Sequence, residues 1–489
     1  MKEKRVVPYA PILIESTRSI GYSFEAAVAD IIDNSISASA SEVHVCFMSQ
    51  EPLWLRIEDN GWGMSVSELE NAMRYGSQSS LEERSPNDLG RFGLGLKMAS
   101  LSQCRKVTVI TKKDDVITAA CWDLDFINKQ GDWILKFYSD EEIKGLHGYS
   151  WLQNHSSGTV VIWEQFDRLK QGAAKVQKAF DEKIDVARKH VALVFHRFLS
   201  DENPTNRISI FFNGESVKGI DPFLTKHPAT QPLNEQVLRI DSSEIRVKPY
   251  VLPFLSKLSK KDIDSIGGKD ELRQQQGFYV YRNKRLIIWG TWFRLIKQNE
   301  LGKLARVRVD IPNSLDSIWE IDIKKSTASL PHFIKKNLVD IVENTVGRSE
   351  RVYKYRGRNV QTDNLIHVWN PIDDRGILQY QINRDLPIFQ MLENHLDDEG
   401  SELLESLIKM IEDSFPFSDV YYRMAKTEAD IKESKIENEE VFDIANQMVQ
   451  QVNAKSGDIK AFIESMGKMD FFIKYPEVVR QIKEIHADD

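Results

Sequence analysis

The sequence predicts an α/β protein: two α/β domains followed by a mainly helical region. Three observations predict it. Short runs rich in valine, isoleucine and threonine alternate with helical patterns through residues 1–168. After a helical stretch at about 170–200 the alternation resumes and continues to 345, so that 169–345 forms a second α/β unit. From 346 to 489 the apolar spacing becomes helical, clearest in SELLESLIKMI at 401–411 and EEVFDIANQMVQQV at 439–452.

Length and composition set the outer bounds. A chain of 489 residues exceeds one ordinary core, and 41% hydrophobic with 28% charged residues is the balance of a globular protein. A net charge of -8 argues against a surface coated in nucleic acid, while leaving room for a local basic face. Cys46, Cys104 and Cys121 are widely spaced, which indicates neither a disulfide framework nor a zinc site and suggests a reducing compartment. The start, MKEKRVVPYAPILIE, is basic without an adequate apolar segment, and no apolar run reaches spanning length. The expectation is a cytoplasmic protein with no membrane partner.

The first domain centres on the helix expected over Glu25–Ala38. Phe24, Ala27, Val28, Ile31 and Ile32 recur at helical spacing and give it a stripe to pack against a sheet. Asp30 and Asn34 lie one turn apart on one face, with Asp33 beside them on another. A carboxylate and an amide so placed can hold a water and a divalent cation against a phosphate chain; taken alone they are equally a solvated helix face. Strands are expected at 42–47, 54–59, 106–111, 117–122 and 159–164, and in the second unit in ISIFFNG, GFYVYRNKRLIIWG, RVRVDI and WEIDI. LPHFIKKNLVDIVEN reads as a helix.

Three more stretches carry chemistry. DNGWGM, Asp59–Met64, follows a strand; Asn-Gly there is an ordinary turn, but Asp59 can also accept from the exocyclic amine of adenine. Gly61 and Gly63 would let backbone approach a flat ring, ahead of Met64. GRFGLGLK, composed of Gly90, Arg91, Phe92, Gly93, Leu94, Gly95, Leu96 and Lys97, runs into a helix, where backbone N–H groups and the helix dipole favour an anion and Lys97 adds a point charge. The polar stretch before it, YGSQSSLEERSPND, has the composition of a lid. Thr159, opening a strand after Gly158, can hold a base edge through water.

As an ordered set these four elements resemble the GHKL ATPases, the superfamily of gyrase B subunits, MutL proteins, heat-shock chaperones and MORC proteins. The wording YGSQSS…DLGRFGLGLKMAS is most similar to MORC proteins and their bacterial relatives. The resemblance implies a Bergerat-fold ATP pocket in which Asn34 coordinates Mg²⁺, Asp59 reads adenine and Gly90–Lys97 wraps the triphosphate. The family's general base is usually glutamate where this chain has Asp30, one methylene shorter. Slow turnover is therefore expected, with a non-hydrolysing scaffold as the alternative. A second, transducer-like (S5-like) domain is implied to add a lysine to the terminal phosphate. WEIDIKKSTASLP offers Lys324 or Lys325, and strand alternation lets one of them reach the pocket, with Lys325 favoured.

The resemblance further implies ATP-driven lid closure and homodimerisation, forming a switch or clamp. DNA is the expected client, in a bacterial defence or restriction-like setting, with protein partners supplying nuclease or helicase activity. RSERVYKYRGRN at 348–359, with Tyr353 and Tyr355 between its basic residues, is either a phosphate-gripping segment or a basic linker. An Hsp90-like chaperone would need a client-binding middle domain and a larger apolar surface. A sensor kinase would need a phosphoacceptor helix before the Asp30 helix, and a topoisomerase a cleavage domain; the sequence displays neither.

Overall fold

The computed structural model describes residues 3, 8–19, 21–75, 95–170, 175–200, 207–240, 243–266, 268, 271–299, 302–315, 332–354, 366–374, 377–393, 395–416, 436–454 and 458–486. They fall into two compact units, Met1–Arg356 and Gly357–Asp489.

The first unit begins with helices α1 (Ala10–Arg18) and α2 (Phe24–Ser37). Ser23 caps α2 by accepting from the backbone N–H of Ala26, satisfying a donor the helix leaves open. An eight-stranded sheet follows, built from β1 (Glu42–Met48), β2 (Trp54–Asp59), β3 (Lys106–Lys113), β4 (Val116–Asp123), β5 (Lys136–Phe137), β6 (Gly158–Glu164), β7 (Ser209–Phe212) and β8 (Glu215–Ser216). Its order is β5-β4-β3-β6-β2-β1-β7-β8, and β1 with β7 forms its parallel pair. Thus residues 209–216, which follow the long helix after 168, complete the first sheet; sequence pattern grouped them with the second domain.

One face of this sheet carries α1, α2, α4 (Gly95–Gln103) and α5 (Val176–Val194), whose inward side chains form one continuous core. Phe24, Ala27, Val28, Ile31 and Ile32 of α2 are all buried there, as their spacing requires. The opposite face holds a smaller cluster of Ile110, Ala119, Val160 and Ile162 beneath Ile143 and Leu152. A further helix, α3 (Val66–Met73), sits between β2 and α4 in sequence and is closed by a capping box from Ser65 and Glu68.

The second sheet contains β9 (Gln231–Pro232), β10 (Gln236–Ile240), β11 (Ser243–Val251), β12 (Gly277–Arg282), β13 (Arg285–Thr291) and β14 (Ala305–Ile311). The run expected as one strand over 277–290 is a hairpin: Asn283 and Lys284 take φ of 48° and 69°, the left-handed pair that a two-residue turn between twisted strands demands. One face of this sheet packs on α6 (His332–Lys354) through Leu338, Ile341, Val342 and Val346. The helix passes through the expected boundary at 345/346 and takes in the first part of the basic stretch; residues 355–365 lie outside the described residues. WEIDI, with Lys324 and Lys325, also lies outside them.

The second unit is mainly helical around a core of Val441, Ala445, Val449, Ile463, Met466 and Ile482. It also contains a hairpin that the sequence pattern did not announce, β15 (Trp369–Asp374) with β16 (Ile377–Ile382). Among the described residues no helix is long and apolar enough to cross a membrane.

Candidate functional site

Helix α2 is the meeting point. Asp30 is 6% exposed, and its Oδ2 accepts a hydrogen bond from the Tyr22 hydroxyl at 3.0 Å. The first residue of α4 faces the same oxygen: a Cβ on Gly95 would stand 3.8 Å from Asp30 Oδ2. Asn34, one turn on, is exposed. So α2 presents a buried carboxylate and an exposed amide along one edge, with the start of a nine-residue helix opposite.

Asp33 turns elsewhere, as its position on the helix demands. It is fully buried, and both its oxygens meet Arg285 Nε of β13, at 3.0 and 3.3 Å. The guanidinium lies 4.7 Å from the Phe195 ring centre. The pKa of His190, half-buried nearby, is lowered to about 3 by desolvation first and by the Arg285 charge second. Breadth of contact thus makes α2 a link between the first sheet and the second.

Asp59 ends β2 on the other side of α2. Ser35 Oγ donates to its Oδ2 at 2.9 Å and the Gly61 N–H to its Oδ1 at 3.0 Å. Burial nevertheless dominates and raises its pKa to about 6. The loop after it is fixed by backbone geometry: Gly63 has φ +66°, and a Cβ there would lie 1.9 Å from the Lys112 carbonyl, so only glycine fits. The Met64 N–H donates to Thr111 Oγ1 at 2.8 Å, and that hydroxyl lies 3.0 Å from the Gly158 carbonyl and 3.2 Å from Thr159 Oγ1. Thr159 pairs with Asp59 across β6 and β2, which sets the threonine pair beside the carboxylate.

Of the phosphate loop, Gly95, Leu96 and Lys97 are described, and Gly90, Arg91, Phe92, Gly93 and Leu94 lie outside the described residues. Leu96 packs against the first core. Lys97 has backbone partners in this structure. It is 1% exposed, and its ammonium donates to the carbonyls of Ala72 at 2.9 Å and Arg74 at 2.7 Å, at the C-terminal end of α3. Burial lowers its pKa to about 8. An unpaired helix end with its carbonyls exposed attracts a lysine for the same electrostatic reason that a phosphate does.

Three residues that sequence reasoning did not single out belong to this geometry: Tyr22, Ser35 and Thr111. Ser35 follows Asn34 and is readable in principle, because i and i+1 helix residues lie on adjoining faces. Tyr22 and Thr111 reach the site through tertiary packing and carry no local signal. The donor set also bears on a metal. No cluster of three or more His, Cys, Asp or Glu side chains suited to a metal occurs among the described residues. A single exposed amide, with waters and phosphate oxygens completing the shell, suits Mg²⁺ carried by a nucleotide, and Asn34 is the residue that would hold it.

Residues 22–159 match the family model described as histidine kinase-, DNA gyrase B- and HSP90-like ATPase. Over these residues the chain is similar to the GHKL ATPases. The chain is similar to ATPase morc-1 of Caenorhabditis elegans, 31% identical over 106 residues, which is 22% of this chain and 12% of that protein. It is also similar to ATPase MORC2 of Homo sapiens, 27% identical over 111 residues, 22% of this chain and 10% of that protein. The chain therefore spans a small part of the length of these relatives. A solved structure, the N-terminal domain of a DNA repair protein, superposes with a TM-score of 0.43 and 17% identity, covering 70% of this chain and 98% of that one.

With burial raising the Asp59 pKa to about 6, this carboxyl changes charge within the range of an ordinary binding experiment. The charged form is the better acceptor for an amine, so affinity for a non-hydrolysable ATP analogue is expected to weaken as pH falls through about 6. Isothermal titration between pH 5 and 8 checks this; a flat profile would show that Asp59 makes no charge-assisted contact with the ligand. The sign for stability is opposite. A raised carboxyl pKa means that ionisation opposes folding, so this group's penalty is absent below about 4 and complete above about 6.

Proposed function

We propose that this chain binds ATP with Mg²⁺ and hydrolyses it slowly to ADP and phosphate, and that binding drives two copies together as a switch or clamp on DNA. The observation that carries the nucleotide reading is the convergence on α2 of Asp30 with the start of α4 on one side and Ser35 with Asp59 on the other. In this reading Asp59 accepts from the adenine amine, with Thr159 and Thr111 beside it. Asn34 holds Mg²⁺, which when bound neutralises charge on the phosphates. Asp30 takes the proton of the attacking water. Phosphoryl transfer to water needs positioning and charge neutralisation more than covalent chemistry, so these few groups suffice.

The DNA client rests on the MORC relatives' resemblance and on the basic residues 348–358, of which Arg348 is exposed on α6. A defence setting, and partners supplying nuclease or helicase activity, belong to the same proposal. The deciding experiment is steady-state ATP hydrolysis with and without duplex DNA, alongside light scattering with a non-hydrolysable analogue. Slow, DNA-stimulated turnover with analogue-induced dimers supports the reading. Tight ATP binding without turnover under any condition would favour the non-hydrolysing scaffold, for which the short Asp30 is the motive.

The metal role has its own test. Asn34→Ala is expected to remove the Mg²⁺ dependence of ATP binding, since no other described side chain on that face of α2 offers an amide oxygen. Equal affinity for the analogue with and without Mg²⁺ in the parent protein would sink the assignment.

A further inference from the structure

Asp30 is one methylene shorter than the glutamate that the resemblance leads one to expect, and the structure holds it in an unusual way. Tyr22 lies ahead of α2, after Gly21, whose φ of 82° turns the chain into the helix. The residue is 7% exposed, and its hydroxyl donates to Asp30 Oδ2 at 3.0 Å. Its carbonyl in turn accepts from Gln103 Nε2 at 3.0 Å, at the far end of α4. The helix that presents Gly95 to Asp30 therefore also anchors, eight residues later, the tyrosine that bonds it.

We propose that Tyr22 is a positioning residue for Asp30. This rests on the reading of Asp30 as the base. By donating to Oδ2, the phenol restricts the rotation of a short carboxylate. In the step it serves, the water oxygen bonds to the γ-phosphorus, the bond to the β,γ-bridging oxygen breaks, and the water proton passes to Asp30. Tyr22 keeps its own proton throughout. A short base placed by a hydrogen bond answers the reach problem that the missing methylene creates, because misplacement of a base by a fraction of an ångström costs rate steeply.

Tyr22→Phe removes one oxygen and leaves the ring to pack. The expected result is a kcat lowered on the order of tenfold, with unchanged affinity for a non-hydrolysable ATP analogue and an unchanged thermal transition. In an Asp30→Asn background the same substitution should slow turnover no further, because there is no longer a base to place. A Tyr22→Phe kcat within twofold of the parent overturns the proposal, as does a loss of analogue affinity matching the loss of kcat, which would make Tyr22 part of the pocket wall. An Asp30→Asn protein that turns over at the parent rate, or a parent with no turnover, removes the base itself. Both of those results are read with Tyr22 intact, so they are distinct from a failure of Tyr22 alone.

Discussion

Asp30→Asn is expected to slow ATP turnover by roughly 10²- to 10⁴-fold, the usual contribution of a placed general base, while leaving ATP affinity within a few-fold of the parent. The asparagine keeps the shape and can still accept from Tyr22, so the change isolates the loss of a proton acceptor. Single-turnover hydrolysis with pre-bound ATP separates chemistry from binding and release. An undiminished rate would place the base elsewhere, and the neighbouring carboxylate is a poor substitute. Asp33 is fully buried with both oxygens against Arg285, a structural commitment incompatible with meeting water.

That commitment underlies the second large effect. Arg285→Ala would leave the Asp33 charge buried without its guanidinium, and removing one partner of a buried ion pair typically costs about 3–5 kcal/mol. Urea denaturation of the chain should show a lower midpoint with an unchanged slope for the unit that contains both residues. A joint change, Asp33→Asn with Arg285→Met, is expected to recover much of the loss, because desolvation of two charges is then no longer required. A loss below about 1 kcal/mol for Arg285→Ala would mean that water reaches the pair. Since Asp33 and Asn34 are consecutive on α2, the destabilised protein should also bind ATP more weakly.

How much of this was legible in the sequence divides by range. Five strands of the first sheet, β1, β2, β3, β4 and β6, and the buried stripe of α2 were readable, because period two and period 3.6 are local properties of the chain. So was the placement of Asp33 on a different face from Asp30. The identity of its partner was not: Arg285 stands directly after the Asn283-Lys284 turn, and nothing near either residue names the other. Lys97 shows a second kind of contact that local sequence does not name. Its motif suggested a phosphate, yet the nearby end of α3 offers carbonyls that attract the same ammonium. The hairpin at 369–382 escaped because WNPIDD carries proline and aspartates, which weaken any strand signal.

The parallel pairing of β1 with β7 has a consequence for how the polypeptide matures. Val43 pairs with Ile210 and Val45 with Phe212, so one flank of β1 stays an open hydrogen-bonding edge until the chain has been synthesised past residue 212. An open edge invites pairing with other chains, and contacts so far apart in sequence form late. Emerging from the ribosome, the first 168 residues would hold most of the nucleotide-site residues and still be sticky, while 216 or more would be closed by β8. The time taken to synthesise the stretch between Met48 and Phe212 thus bounds how long that edge stays open in the nascent protein.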